Sequence, residues 1–344
     1  TDASPRLIPS GTDVWAKWSD HGALITAVRY GSNAAAAGLC AGMKVVAVGG
    51  KPMQELVRAR LPQALDKSDP AAYDWATRAV LAGFHNQPVR LRVRLADGSE
   101  KQYHYTPGLT QARDALLTSK VLDHNIGYIR INNSLGDDDL IAAWDSALAR
   151  LQDTKALILD LRSTPSGGNT HVGRGLMGRL VDTVQKGELY ELPQNDKRYG
   201  VRKAWIELVS PRGPFAYTKP VVVLVGRWTG SMGEGIAMVL DEMKRATLIG
   251  SKMARLHGAT QTFTLPNSKI PIEVPYLRLY GADGTPREDY VPDIAVKSGQ
   301  CAAKNDAVLD AAQKLLHNDV DHAEVAPTSP RSVRRFIAGL SAAK

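Results

Sequence analysis

Residues 220–243 constrain this chain more than any other stretch. Val221, Val222, Val223, Leu224 and Val225 follow one another without a polar break, which reads as a short strand buried on both faces. A glycine-bearing segment, 226–235, interrupts the run. Behind it Ile236, Val239, Leu240 and Met243 recur at i, i+3, i+4 and i+7, one apolar face of a helix. Ser231 therefore falls where a buried strand turns into a helix, between Gly230 and Gly233. A hydroxyl there stands clear of the sheet, and the next amides, beginning with Met232, lie at a helix N-terminus where they can stabilise an oxyanion. The same serine is well placed as an N-cap, with Glu234 three residues on completing a capping box. The turn alone leaves both readings open.

The chain has 344 residues, enough for two or three domains, and its 44% apolar and 23% charged content is ordinary for a soluble globular protein. The net charge of +8 is scattered rather than striped, and aromatics make up only 6%, so no stacking platform for nucleic acid is expected. The charge reads as solubility, with weak attraction to an anionic membrane surface. Cys40 and Cys301 are far apart and outside any CxxC or Cys/His cluster, so neither a metal nor another cofactor is expected. No apolar run reaches the length of a membrane span. The sequence opens at Thr1 without a methionine, which suggests a processed form.

In chain order, residues 1–11 read as a loose leader. Residues 22–28 form a strand, 31–39 a turn into a short alanine helix with a glycine stop, and 41–52 a turn, a strand and a second tight turn. This succession resembles the circularly permuted PDZ modules of bacterial proteases, whose run is close to G-S-P-A-x-x-A-G-L-x-x-G-D-x-I-x-x-V-x-G. It departs from them at Asn33, where proline is usual, and at Met43, where aspartate is usual. The resemblance implies that the backbone of Gly22, Ala23, Leu24 and Ile25 is the edge that accepts an extended peptide by strand addition. Used only as a structural lid, the same fold would bind nothing. Residues 54–83 interrupt the module with two loosely helical stretches, and Ser68-Asp69-Pro70 signals a helix start. Residues 89–95 alternate as a period-two strand, Asp97-Gly98 turns, and 101–105 return. The first domain thus spans 12–107, and a linker follows over 108–118.

A second, α/β domain is expected over 119–317. Strands at 126–131 and 156–161 flank a helix carrying Leu140, Trp144, Leu148 and Leu151, and the strand–loop–helix order repeats at 221–249. Residues 186–217 read as a long irregular excursion beside the site, 261–280 as two or three strands, and 305–316 as an amphipathic helix. The remainder, 318–344, is a polar basic tail. Loops 162–170 and 226–235 both leave the carboxyl ends of buried strands, the edge at which open α/β sheets form sites. The first supplies Gly167-Gly168, the second Ser231 and the amide of Met232. A nucleophile with two independent backbone donors suffices for acyl transfer.

Four ordered segments, Leu159 to Gly168, Gly230 to Glu234, Arg245 to Gly250 and Val291 to Val296, resemble motifs of the carboxyl-terminal processing (tail-specific) serine proteases. These are the D-L-R-x-x-P-G-G loop, the nucleophile turn with glutamate three residues after serine, the R-A-x-x-x-G strand and the G-V-x-P-D-x-x-V closing run. The resemblance implies a PDZ-like module before a crotonase-like α/β core. Ser231 would be the nucleophile, Gly168 and Met232 the oxyanion donors, and Glu234 and Gln261 supporting residues. The family's base is a lysine in F-G-K-G-x-x-Q; matching Gly258 and Gln261 puts His257 in its place. A neutral imidazole is a competent base near neutrality. His171 and Lys252 are rival bases, and Glu288 a candidate to orient a histidine. Relatives resembling the tricorn core pair serine with a histidine that comes from before the PDZ module. The function implied is a serine endopeptidase acting on protein or peptide substrates and exported to the periplasm or beyond. The alternatives are a degenerate peptide-binding scaffold, motivated by the missing lysine, and an acyl hydrolase of esters.

Overall fold

The computed structural model describes residues 6, 12–63, 69–110, 115–296 and 306–323. Most of the leader, the end of the tail beyond residue 323 and Cys301 lie outside them. The first sheet is built from β1 (Val14–Ser19), β2 (Gly22–Val28), β3 (Lys44–Val48), β4 (Lys51–Pro52), β5 (Val89–Arg94) and β6 (Glu100–Tyr105), in the order β1-β2-β3-β5-β6 with β4 beside β3. α1 (Asn33–Ala36) follows β2, capped by the Ser32 side chain. α2 (Met53–Arg58) and α3 (Pro70–Ala82) fill the interruption, and α3 starts as expected, with Asp69 accepting from the Ala71 amide at 2.8 Å. One side of the sheet and these helices share a core that includes Ile25, Val45, Met53, Val57, Val80, Leu91 and Val93.

The segment expected as a peptide-accepting edge is not an edge strand. Gly22, Ala23, Leu24 and Ile25 pair with Ser19, Trp18, Lys17 and Ala16 of β1, while Ala23 and Leu24 also pair with β3. β2 is therefore an interior strand, and its backbone is already engaged on both sides. The outer edge belongs to β1, a strand at the start of the 12–107 module for which the sequence offered no element.

A central sheet carries the second half. β7 (Leu117–Leu122) is antiparallel to β8 (Ile126–Ile131), and β9 (Ala156–Asp160), β12 (Val221–Val225), β13 (Thr247–Gly250) and β16 (Ile294–Ala295) continue in parallel, in the order β16-β13-β12-β9-β8-β7. The unbroken apolar run of β12 has a direct cause. Val221, Val223 and Val225 face a large core with α4 (Leu140–Arg150), α5 (Thr170–Met177) and α7 (Met232–Glu242), whereas Val222 and Leu224 face α8 (Ala307–Ala323). Both faces of a parallel strand are thereby removed from water. α8 runs on past residue 317, where the tail was expected to begin.

The third sheet, in the order β11-β10-β15-β14, lies where an irregular excursion was expected. β10 (Gln185–Glu191), α6 (Pro193–Tyr199) and β11 (Ala204–Val209) are regular elements within it. β11 is an exposed edge strand whose side chains are mostly in solvent, so it lacks the apolar alternation that would have announced it. β14 (Gly258–Thr264) and β15 (Pro271–Tyr280) complete the sheet as one hairpin.

Candidate active site

The loops leaving β9 and β12 are laced together at the carboxyl end of the central sheet. The Thr164 amide donates to the Trp228 carbonyl at 3.0 Å, and the Gly230 amide to the Thr164 carbonyl at 3.1 Å. The hydroxyl of Thr229 donates to the Leu161 carbonyl and accepts from the Gly226 amide, both at 3.0 Å. Thr164 and Thr229 are fully buried, so this seam is closed to water. At its end Ser231 adopts φ 50° and ψ −114°. Positive φ is uncommon for a residue with a side chain and stores strain, and it is not the extended conformation of an ordinary N-cap.

Gly167 lies against that serine. A β-carbon added to Gly167 would sit 2.3 Å from the Ser231 Cβ, 2.8 Å from its Oγ and 3.3 Å from the Met232 nitrogen. Only a glycine, at φ +66°, lets the two loops approach this closely. Gly168 faces the other way, with its missing Cβ 2.0 Å from the Leu135 carbonyl carbon. The segment after β8 thus braces the diglycine loop from behind. The Asn169 amide donates to the Leu135 carbonyl at 2.9 Å, and Asn133 accepts from the Ser166 amide at 3.0 Å. The sequence reading missed Asn133 and the close role of Gly167. Its only signal for the first was a polar Asn132-Asn133 pair directly after a buried strand.

Electrostatics fix the entrance to the first loop, and packing fixes the helix after the second. Asp160, buried at the end of β9, accepts from Arg162 through both oxygens, at 2.9 and 2.7 Å, and from the Tyr128 hydroxyl at 2.8 Å. Burial would push its pKa up, but the Arg162 guanidinium overcomes it and holds the carboxyl below the ordinary value. Arg162 in turn binds Asp306 at the head of α8. Met232, the first residue of α7, buries its side chain against Gly173 of α5, which fixes the helix N-terminus behind the serine.

Glu234 is fully buried and does more than complete a cap. Its carboxylate accepts from the Ser231 amide at 2.9 Å, the Arg255 amide at 2.6 Å and the Leu256 amide at 3.2 Å. Desolvation raises its pKa, with Arg287 and these amides acting in the opposite direction. The segment 251–257 is therefore tied along the serine turn, also through Ser251 to Val225 and Ala254 to Thr229. His257 ends this segment. Its side chain is 80% exposed, and its Nδ1 lies 3.6 Å from the Glu288 Oε1. Arg255 Nε donates to the Glu288 carbonyl at 2.6 Å, and the preceding Arg287 is buried against Glu188, so the turn bearing Glu288 is anchored from two sides.

The rival bases sit differently. His171 pairs through Nε2 with Asp138 at 2.6 Å in an exposed surface contact, and Lys252 is exposed. Gln261 is exposed on β14, opposite Val274. The structure thus brings Ser231, Met232, Gly167, Glu234 and the His257 segment into one neighbourhood, and leaves Gln261 out on the hairpin. Among the described residues no group of three or more His, Cys, Asp or Glu side chains is placed to hold a metal, and no helix is long and apolar enough to cross a membrane.

A strained serine thus stands at a strand-to-helix turn on the carboxyl edge of the central sheet, faced by a glycine of a second loop. Residues 125–296, half of the chain, match the model of peptidase family S41, and the chain belongs to that family. It is 30% identical over 129 residues to a carboxyl-terminal-processing protease of Synechocystis sp., a match covering 37% of this chain and 27% of that relative. Among solved structures it is similar to a photosystem II D1 C-terminal processing protease, at a TM-score of 0.54 and 20% identity over 83% of this chain and 72% of the other. It is also similar to mature CPAF, at a TM-score of 0.60 and 15% identity over 92% and 83% of the two chains. Identities this low establish a shared fold.

Proposed function

We propose that the chain is a serine endopeptidase of the carboxyl-terminal processing type, with Ser231 as its nucleophile. The observation that carries this reading is the positive-φ Ser231 with Gly167 pressed against its side chain at the N-terminus of α7. In this reading Ser231 Oγ attacks the substrate carbonyl and its proton passes to His257, which Glu288 orients. The oxyanion is held by the Met232 amide and a main-chain amide of the diglycine loop. That is Gly168 rather than Gly167, because the Gly167 amide already donates to the Thr164 carbonyl at 3.2 Å. The acyl-enzyme is then resolved by water, the imidazolium returning its proton. The first sheet acts as a PDZ-like module that captures an extended segment and delivers it, and the core is of crotonase-like type.

The proposed location is outside the cytoplasm, periplasmic or secreted. Cys40 is disulfide-bonded, and disulfides persist in oxidising compartments. A second reading, a degenerate peptide-holding scaffold, is favoured by the 80% exposure of His257, which leaves the base solvated. One experiment separates the two. A fluorophosphonate probe should label the wild-type chain and not Ser231→Ala, and peptide hydrolysis should vanish with the label. If the wild type takes no label while still binding peptide, the scaffold reading stands. If Ser231→Ala is labelled like the wild type, the nucleophile is wrongly assigned.

A further inference from the structure

Glu188 of β10 and Arg287, in the short turn Arg287–Asp289, are each 2% exposed and pair with one another inside the protein. The guanidinium donates to Glu188 Oε1 through Nε at 3.0 Å and through Nη2, and the Tyr190 hydroxyl reaches Oε2 at 3.5 Å. The pair lies against the first turns of α7. A β-carbon on Gly235 would meet Glu188 Oε2 at 2.8 Å, so the carboxylate rests where glycine leaves it room. The residue before that glycine is Glu234, and Arg287 is the charge that acts on Glu234 most strongly. The residue after Arg287 is Glu288, which faces His257. One buried cation thus touches both supports of the proposed site, the carboxylate under the Ser231 turn and the carboxylate beside the imidazole.

We propose that Arg287, held in place by Glu188, is a positioning residue that acts on Ser231 through Glu234 and on His257 through Glu288. This rests on the peptidase reading above and deepens it. Stability alone does not account for the pair, because apolar side chains of similar volume usually serve a buried site as well or better. Its hydrogen bonds do not account for it either: Nη1 of Arg287 is buried and has no hydrogen-bond partner among the described residues, which is a cost. What the guanidinium supplies is charge. Burial pushes the Glu234 pKa up and Arg287 works against it, favouring the carboxylate that accepts from the Ser231, Arg255 and Leu256 amides. The other charges around Glu234 are Glu188 beyond Arg287, Arg227 on the serine loop, and Arg255, whose guanidinium is bound to the Glu288 carbonyl and to Asp289. Arg287 is therefore the cation on which the ionised acceptor chiefly depends.

The test replaces both partners in the full chain, Glu188→Met with Arg287→Met, so that no bare charge is left buried. Its urea midpoint at pH 7 should stay near that of the wild type, while fluorophosphonate labelling of Ser231 slows about a hundredfold. A second readout isolates Glu234. Urea midpoints are followed against pH for each protein and for its Glu234→Gln counterpart, and the range over which the glutamine form gains marks the titration of this carboxyl. Without Arg287 that range should extend about one pH unit or more further upward. Labelling as fast as in the wild type overturns the proposal. So does slower labelling with the range unmoved, which would make the pair a packing element only. Should the double variant not fold by circular dichroism, Arg287→Lys keeps the cation and gives up the fork. Its labelling should slow about tenfold with the range unchanged, and unaltered labelling would count against the proposal. None of these results changes whether the wild type is labelled and Ser231→Ala is not, so the peptidase reading stands or falls separately. The urea range needs no turnover, and it decides the link from Arg287 to Glu234 even in a chain that takes no label.

Discussion

Replacing Glu234 with alanine tests what holds the proposed nucleophile and base segments together. Its carboxylate is fully buried and is the acceptor for three main-chain amides from two segments, Ser231 on one side and Arg255 and Leu256 on the other. Three orphaned, part-buried donors, at about 1–3 kcal/mol each if fully shielded, give a gross loss of at most about 3–9 kcal/mol. The vacated side-chain volume adds about 1 kcal/mol. Against this, the carboxylate's own burial, visible in its raised pKa, is relieved and offsets several kcal/mol. The net expectation is a loss of about 2–4 kcal/mol in urea unfolding at neutral pH. Labelling of Ser231 should slow about a hundredfold, because the 251–257 segment would no longer be held in register with the serine turn. A loss under about 0.5 kcal/mol with labelling unchanged would refute the reasoning, since that is the range of an ordinary surface substitution.

Two further outcomes follow from the same site. Gly167→Ala would set a methyl 2.3 Å from the Ser231 Cβ at a backbone φ of +66°, so labelling should fall at least about a hundredfold while circular dichroism stays native. Undiminished labelling would mean that the two loops are not held as close as described. Glu234→Gln addresses pH. Burial raises the Glu234 pKa, so the folded chain holds that proton more tightly than the unfolded one. The wild type therefore loses stability as pH rises from the unfolded carboxylate value, about 4.3, through the raised native value. Glutamine does not titrate, so urea midpoints of the variant should gain on the wild type as pH rises from the unfolded value, about 4.3, to the raised native one. A constant difference across that range contradicts the assignment.

What could be read from the sequence follows the chemistry of each segment. β9 and β12 were legible because helices cover both their faces, which forces consecutive apolar residues that no exposed strand tolerates. The meeting of loops 162–170 and 226–235 was legible for the same reason, since parallel strands send their carboxyl ends to one edge. Which of two adjacent glycines faces the serine was not, because Gly167 and Gly168 are chemically identical and only the opposing Leu135 separates them. The edge strand β1 was hidden by its own composition. Lys17 is exposed, and Trp15 and Trp18 are only partly buried, Trp18 against the core and both near α3, so the segment 14–19 lacks a clean apolar–polar alternation. The approach of His257 to Glu288 depends on bonds made by Arg255 and Arg287, neither of which has a spacing that local periodicity could reveal.

Those unreadable contacts share a consequence. The serine turn takes its position partly from the first sheet, through groups that sequence motifs ignore. Trp228 Nε1 donates to the Thr12 carbonyl at 2.8 Å just before β1, and Arg227 lies over Trp15 while donating to the Met253 carbonyl at 3.0 Å. Burial, with Arg78 and Arg255 adding to it, pushes the Arg227 pKa down to about 10. A guanidinium in that setting leans on the Trp15 ring face for much of its stabilisation, because cation–π attraction strengthens as water is excluded. Any motion of Trp15 is then felt first by Arg227, on the loop that ends in Ser231. The first sheet therefore bears directly on the geometry of the Ser231 turn, through a shared aromatic ring.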